Sequence, residues 1–100
     1  MFLERQVQHI RPGKWEELEA LDQKFNKVES RNGFPAKRRL RCYIGALSNN
    51  TLVIERDWES LAVMEAAYMK VFMDPEWQAL SAPLDTIVES NQAEVYFVLS

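Results

Sequence analysis

The strongest constraint on the fold is a pair of helix starts that lie close together in the middle of the chain. The first follows Asp57-Trp58-Glu59-Ser60, where Asp57 can cap a helix, and the second follows Asp74-Pro75-Glu76-Trp77. In the second segment the aspartate can act as the cap, and the proline then takes the first helical position, which needs no backbone donor. Between the two starts, apolar residues recur at helical spacing: Leu61, Met64, Tyr68, Val71 and Phe72. The sequence therefore predicts two consecutive helices, the second a short one from residue 75 to about residue 81.

The remaining segments predict one more helix and four strands. Apolar residues from Trp15 to Val28 recur at three- and four-residue spacing and stop before Asn32-Gly33, which indicates a helix. Strand-like patterns occupy residues 2–10, 38–47, 51–57 and 93–99, and Ser48-Asn49-Asn50 joins the middle two as a hairpin. This order, βαββαβ, is that of the ferredoxin-like fold, an α+β domain with a four-stranded antiparallel sheet and its helices on one face. We expect residues 1–100 to form one domain of this kind.

Composition and charge argue against several classes of protein. The net charge is -3, whereas a general nucleic-acid-binding protein needs a sustained basic surface. No apolar run approaches the ~20 residues that span a bilayer, and the lone Cys42 allows no intramolecular disulfide and fits a reducing compartment. The single His9 has no partner for a metal or haem site, and it is either a strand-end residue or a general base at the mouth of a cavity. We therefore expect a cytoplasmic protein without nucleic-acid or membrane partners, and without a metal or cofactor.

Three motifs, in this order and at these spacings, resemble those of one protein family. They are the end of the first strand, Arg11-Pro12-Gly13-Lys14, the run of the third strand into Asp57-Trp58-Glu59-Ser60-Leu61, and Asp74-Pro75-Glu76-Trp77-Gln78. Over most of its length the chain resembles the NIPSNAP family, which lies within the dimeric α+β barrel group together with small cofactor-free monooxygenases and some haem-degrading enzymes. The resemblance implies a homodimer in which two sheets pack face to face around a central barrel. It implies no particular catalytic mechanism, so whether the chain is an enzyme stays open.

Strand alternation assigns residues to the sheet face that the helices leave open. Successive strand residues point to opposite faces, so an apolar set at alternate positions is expected to face the helices. The sets assigned to the helices are Leu40, Cys42 and Ile44, then Leu52 and Ile54, then Ala93, Val95, Phe97 and Leu99. In the first strand, the polar residues at alternate positions are assigned to the open face. That face is therefore predicted to carry Glu4, Gln6, Gln8, Arg39, Arg41, Tyr43, Glu55, Glu94 and Tyr96.

Two functions fit this predicted open face. In the first, the arginines orient a small anionic or phenolic ligand in the barrel interior through bidentate hydrogen bonds. The residues assigned to this ligand site are Gln6, Gln8, Arg39, Arg41, Tyr43, Glu55 and Tyr96. In the second, the same charges pair with one another and hold two sheets together, so the face serves only dimerisation and the protein is a non-catalytic structural or interaction module. A haem-handling enzyme is disfavoured by the isolation of His9.

Overall fold

A computed structural model describes every residue of the chain, from Met1 to Ser100. The elements, in chain order, are the strand β1 (Phe2–Ile10), the helix α1 (Trp15–Arg31), the strands β2 (Arg38–Arg41) and β3 (Thr51–Trp58), the helices α2 (Leu61–Phe72) and α3 (Pro75–Asp85), and the strand β4 (Val88–Phe97). The strands form one antiparallel sheet with the order β2-β3-β1-β4. This arrangement confirms the ferredoxin-like α+β fold that the sequence predicts. None of the helices has the length and apolar character that a membrane-spanning segment requires.

Both closely spaced helix starts are present, although one of them has a different cap. β3 continues through Trp58, so Ser60 caps α2, and its hydroxyl accepts a hydrogen bond of 3.1 Å from the backbone of the first helical turn. The prediction of Asp57 as this cap is wrong, because that residue still belongs to the strand. Asp74 caps α3 as predicted and accepts a hydrogen bond of 3.0 Å from the backbone nitrogen of Glu76.

Three other boundaries differ from the sequence prediction. β2 ends at Arg41, earlier than predicted, and residues 42–50 form an irregular loop before β3. α3 runs past its predicted end and includes Pro83, because Leu80 and its neighbours continue to pack on the core. β4 begins earlier than predicted, at Val88, since it pairs with the whole length of β1. The long pairing between β4 and β1 places the edge strand β4 firmly in the sheet.

The hydrophobic core lies between the sheet and the three helices. α1 contributes the buried stripe that the helical spacing predicts, which consists of Leu18, Leu21, Phe25 and Val28. At the end of β3, Trp58 is fully buried and packs edge to face against Phe34, with ring centroids 5.3 Å apart. Large buried aromatic rings contribute much of the energy of such a core. Trp58 and Phe34 are therefore held in position by close packing.

Strand register defines the two faces of the sheet. Paired residues on neighbouring antiparallel strands point to the same face. Glu4 of β1 pairs with Arg56 of β3 and with Val95 of β4, and its carboxylate accepts a hydrogen bond from the Tyr68 hydroxyl of α2. This row and the alternate residues on either side of it therefore form what we call the helix face. The residues between them, such as Arg5, form the open face.

Candidate functional site

The open face carries only two of the residues that the sequence assigns to a ligand site, Glu55 and Tyr96. Glu55 forms an ion pair with Arg38 of β2. Across the sheet, strand register aligns Arg38, Glu55, Arg5 and Glu94 in one row of alternating charge. The hydrogen bond to Glu94 raises the pKa of the Tyr96 phenol, so this side chain stays a neutral donor. The open face is thus electrically balanced and has no concentration of positive charge that would select an anion.

Gln6 and Gln8 lie on the helix face, so their assignment to the open face is wrong. The prediction assumes that polar residues at alternate positions of β1 face away from the hydrophobic core. In the structure, Glu4 and Gln8 are both buried on the core side of the sheet, and Gln6 is half-buried beside them. Glu4 is tolerated there because three hydrogen-bond donors, from Gln6 in the same strand and from the distant Trp58 and Tyr68, converge on its carboxylate.

Arg39 and Arg41 also lie on the helix face, and their assignment to the open face is wrong as well. Arg39 donates from both Nη atoms to the two carboxylate oxygens of Glu19 in α1, each at 2.8 Å. The Cζ of Arg41 lies 3.9 Å from the centroid of the Trp15 ring, also in α1. The prediction takes Leu40 to face the helices, whereas it is half-exposed on the open face. The partners of these arginines are thus the acidic residues and the tryptophan of α1.

Tyr43 and Cys42 lie beyond the end of β2, in the loop of residues 42–50. Tyr43 is 91% exposed. Cys42 is half-buried, and its thiol donates a hydrogen bond of 3.1 Å to the backbone oxygen of Leu47. The expected position of Cys42 between the sheet and the helices is therefore wrong, because the thiol is held within the loop.

His9 lies on the open face near the end of β1. Its Nδ1 is 3.4 Å from the hydroxyl oxygen of Thr51, and no carboxylate forms an ion pair with it. No group of three or more His, Cys, Asp or Glu side chains in the chain is arranged to hold a metal ion. His9 thus contacts the first residue of the neighbouring strand β3.

Five side chains converge on the helix face around one buried carboxylate. We call them the Glu4 cluster: Glu4, Gln6, Arg56, Trp58 and Tyr68. Trp58 Nε1 donates to Glu4 Oε1 at 3.0 Å, while the Tyr68 hydroxyl and Gln6 Nε2 donate to Oε2, the latter at 3.2 Å. Arg56 Nη1 lies 3.8 Å from Oε1. A carboxylate that is 5% exposed is therefore satisfied by three donors and a neighbouring positive charge.

Burial affects the pKa of one member of this cluster, Tyr68. Desolvation, together with the hydrogen bond to Glu4, raises the pKa of the Tyr68 phenol well above its ordinary value of 10.0. Tyr68 is therefore a protonated donor at neutral pH. Arg56 also pairs with Glu29 of α1 at 2.7 Å, and Glu29 in turn contacts Lys37 at 3.1 Å. The Glu4 cluster is thus one end of a chain of buried charges that crosses the core from β1 to α1.

An uncovered strip of β4 borders the Glu4 cluster. Ala93 and Val95 share the helix face with their β1 partners, Gln6 and Glu4, yet both are exposed, Val95 to 46%. Phe97 continues the strip toward the end of the strand. We call Ala93, Val95 and Phe97 the β4 shelf. The side-chain nitrogen of Gln6 donates to Glu4 and to the Tyr68 hydroxyl, whereas its side-chain oxygen accepts no hydrogen bond within the chain. The β4 shelf therefore lies beside a hydrogen-bond acceptor that has no partner.

The sequence predicts Tyr68 as part of an apolar helical stripe, and it does not indicate that Tyr68 and Trp58 bind Glu4. Their chemistry could have predicted these contacts, because buried Trp and Tyr side chains usually find a hydrogen-bond partner. A glutamate in a neighbouring strand is then a reasonable acceptor. For Arg39, the corresponding signal is the acidic side of α1 around Glu19, which requires a cationic partner.

The fold and the strand register define a ferredoxin-like α+β domain. Among solved structures with this fold, an uncharacterized NIPSNAP domain protein from Burkholderia xenovorans has a TM-score of 0.88 at 17% identity, over 100% of this chain and 96% of that chain. A NIPSNAP family protein from Agrobacterium tumefaciens has a TM-score of 0.80 at 20% identity, over 96% of this chain and 90% of that chain. The predicted resemblance to NIPSNAP proteins is therefore confirmed at the level of the fold.

An enzyme also shares this fold. SnoaB, a cofactor-independent oxygenase from Streptomyces nogalater, has a TM-score of 0.72 at 13% identity, over 99% of this chain and 93% of that chain. No protein-family model and no curated protein matches the sequence. At these identities the similarity establishes the fold, and the function must be argued from the residues of this chain.

Proposed function

We propose that the protein binds a small molecule on the β4 shelf, and that this ligand combines an apolar body with a phenol or a similar hydrogen-bond donor. The observation that carries the proposal is the position of the exposed apolar shelf beside the side-chain oxygens of Gln6 and Glu4. Paired residues on antiparallel strands hold their Cβ atoms about 5 Å apart. A ligand that lies on Ala93 is therefore within reach of Gln6, and one on Val95 is within reach of Glu4.

The charge of the cluster favours a phenolic ligand over an anionic one. An anion on the shelf is repelled by the Glu4 carboxylate, because the two groups carry like charge. The arginines expected to receive an anion, Arg39 and Arg41, lie in β2, at the opposite edge of the sheet from β4. A neutral donor can instead bind the unused oxygen of Gln6 without displacing an existing hydrogen bond.

Ligand binding is better supported than catalysis by these contacts. Both oxygens of Glu4 already accept hydrogen bonds from within the chain, and burial raises the pKa of Tyr68 above its ordinary value, so Tyr68 is not suited to act as a base near neutral pH. SnoaB shares the fold and is a cofactor-independent oxygenase. Oxidation of a bound phenol is therefore the first activity to assay, by oxygen uptake with and without the probe described next.

Matched naphthalene probes test the ligand site. A naphthol carries the donor, the methylnaphthalene of the same substitution pattern lacks it, and the corresponding naphthoate carries an anionic group. We expect the naphthol to raise the Tm in thermal unfolding and the other two compounds to raise it much less. Gln6→Leu should abolish the naphthol shift, whereas Gln23→Leu, at an exposed position of α1, should preserve it. Equal shifts for all probes, or a naphthol shift that survives Gln6→Leu, contradict the site.

We further propose that the open faces of two copies pack together as a homodimer. Beside the balanced row of charge, a row of apolar residues crosses the same face, consisting of Leu40, Val53 and Val7. Arg5 Nε lies on this face and has no hydrogen-bond partner within the chain. Leu40 in this row is 43% exposed, and exposed apolar area beside charged groups is typical of a protein interface. The same observation favours the second candidate function, a non-catalytic interaction module whose open face serves only dimerisation.

Light scattering on the wild-type protein and two variants tests whether the protein is a dimer and whether the open face forms the dimer interface. We expect the wild-type protein to have twice the chain mass of 11.7 kDa. Leu40→Lys should give a monomer, whereas Leu61→Lys should preserve the dimer, because the two leucines are similarly exposed, at 43% and 47%, but only Leu40 lies on the open face. A monomeric wild-type protein at micromolar concentration contradicts the dimer. A stable dimer that responds to no naphthalene probe favours the interaction module.

A further inference from the structure

A cavity lies at the edge of the helix face opposite the β4 shelf, between β2 and the N-terminal half of α1. Its volume is about 350 Å³, and it is lined by Trp15, Glu16, Glu19, Arg39, Arg41 and Leu52. The buried Leu52 of β3 contributes an apolar surface. A volume of this size falls within the range of small-molecule sites. We call this cavity the Arg41 groove.

The two arginines of the groove differ in whether their charge is already paired. Arg39 is bound in a bidentate manner by Glu19 and lies 3.5 Å from Asp22. Arg41 takes part in none of the ion pairs of the structure. Its Nε donates to the backbone oxygen of Asn49 at 2.7 Å, and the N–H groups of its two Nη atoms have no partner. Arg41 is thus an unpaired cation that lines the groove.

The guanidinium group of Arg41 is held in position by the protein itself. Its Cζ lies 3.9 Å from the centroid of the Trp15 ring, and the Trp15 indole nitrogen donates to Asn50 Oδ1 at 3.0 Å. A guanidinium stacked on an aromatic face keeps its in-plane N–H groups free for hydrogen bonds. Planar donors at fixed positions suit a carboxylate, which accepts two of them at once. Little side-chain freedom remains to be lost when such a ligand binds.

The groove also contains an unpaired carboxylate. Glu16 lies in the first turn of α1, is exposed and takes part in no ion pair, whereas Glu19 is already bound to Arg39. A ligand with negative charge alone is repelled by Glu16, while an ammonium group on the same ligand is attracted. We propose that the Arg41 groove binds a small zwitterion, with the ligand carboxylate on Arg41 and its ammonium group near Glu16. This site is separate from the β4 shelf and does not depend on the ligand proposed there.

Three probes with the same six-carbon chain test the proposal. Norleucine carries both charges, hexanoate carries the carboxylate alone, and hexylamine carries the ammonium group alone. Each is titrated into the isotope-labelled chain of 100 residues while the indole N–H signal of Trp15, assigned with Trp15→Phe, is followed by NMR. We expect a saturable shift with norleucine, weaker binding of hexanoate and no binding of hexylamine. Hexanoate binding as tight as that of norleucine would overturn the zwitterion assignment.

Substitutions of the two charged residues identify the contacts. Arg41→Met should weaken norleucine binding by at least about tenfold, because a charge-assisted bidentate interaction is lost. Arg11→Met is the matched control, since Arg11 is also exposed and also takes part in no ion pair. Glu16→Gln should reduce the preference for norleucine over hexanoate.

One further variant protects the test against an effect of Arg41→Met on folding. Arg41→Lys keeps the charge and the long side chain but lacks the planar pair of donors, so it should also weaken norleucine binding. The indole signals of Trp58 and Trp77 report whether each variant is folded. Norleucine that leaves the Trp15 signal unshifted, or that binds both Arg41 variants as tightly as the wild type, overturns the proposal.

Discussion

Replacement of Arg56 by methionine measures how much the buried charges between the sheet and α1 contribute to stability. Arg56 is 4% exposed, with Glu29 at 2.7 Å, Glu4 at 3.8 Å and the centroid of the Phe34 ring 5.0 Å from its Cζ. Removal of one partner of a buried ion pair typically costs about 3–5 kcal/mol, because the other charge is left without compensation.

Contacts that remain in the variant reduce this cost. Glu29 keeps Lys37 at 3.1 Å, and Glu4 keeps its three hydrogen-bond donors. The Nε of Arg56 is already buried without a partner, so its removal also relieves an unsatisfied donor. Methionine retains the apolar stem that packs in the core. We therefore expect Arg56→Met to lower the free energy of unfolding by about 2–3 kcal/mol.

Urea unfolding at a fixed protein concentration measures this change, with tryptophan fluorescence and far-UV circular dichroism as independent probes. Lys14→Met is the control, because Lys14 pairs with Glu17 at 3.2 Å at the surface, where the side chains are 37% and 57% exposed. We expect this control to lose at most about 0.5 kcal/mol. An equal loss in the two variants, or a more stable Arg56→Met, would refute the view that the buried pair stabilises the fold.

Three other predictions follow from single side chains. Hydrogen bonds from Arg31 lower the pKa of Asp74 below its ordinary value of 3.8. The ionised carboxylate therefore stabilises the protein above pH 3.8, and this contribution is lost as the pH falls through the pKa of the folded state. Asp74→Asn should remove this acid dependence of the urea midpoint. Burial and the hydrogen bond to Glu4 raise the pKa of Tyr68 above 10.0, so its contribution is complete below that pH and is lost as the pH rises beyond it. Tyr68→Phe should therefore flatten the alkaline part of the stability profile, and an unchanged profile contradicts the contact. Cys42 should react with thiol reagents in the native protein, because only a loop covers it, and protection equal to that of a core thiol contradicts its position.

Local signals in the sequence explain why most of the fold is predictable. The apolar stripe of α1 and the Asp74-Pro75 helix start each depend on a few neighbouring residues, and both are present in the structure. The Glu4 cluster depends instead on residues that are distant in the chain, since Trp58 is 54 positions and Tyr68 is 64 positions from Glu4. Strand alternation groups residues by face, but it does not identify the buried face when both sets contain polar residues. For this reason the sequence pattern places Gln6 on the wrong side of β1.

The same ambiguity is more severe in β2, which is only four residues long, and three of these are arginines. The sequence pattern extends the strand to residue 47 and uses Ile44 to decide which set is apolar. Ile44 instead lies in the loop and is exposed, so it gives no information about the faces of the strand. The positions of Arg39 and Arg41 are determined by the side chains of α1, which only the folded structure brings beside them.

A second sheet of the same kind could pack on the open face in several lateral alignments. The row of alternating charge favours some of these alignments over others. Neighbouring strands lie about 4.8 Å apart. In one alignment of two such sheets, each arginine in the row of one sheet lies opposite a glutamate in the row of the other sheet. If one sheet then moves sideways by the spacing of one strand, like charges lie opposite one another along the whole row. The apolar row made by Leu40, Val53 and Val7 gives no such discrimination, because hydrophobic contact has no preferred direction. Arg38, Glu55, Arg5 and Glu94 therefore restrict where two sheets can come to rest, even where they add little to the strength of the contact.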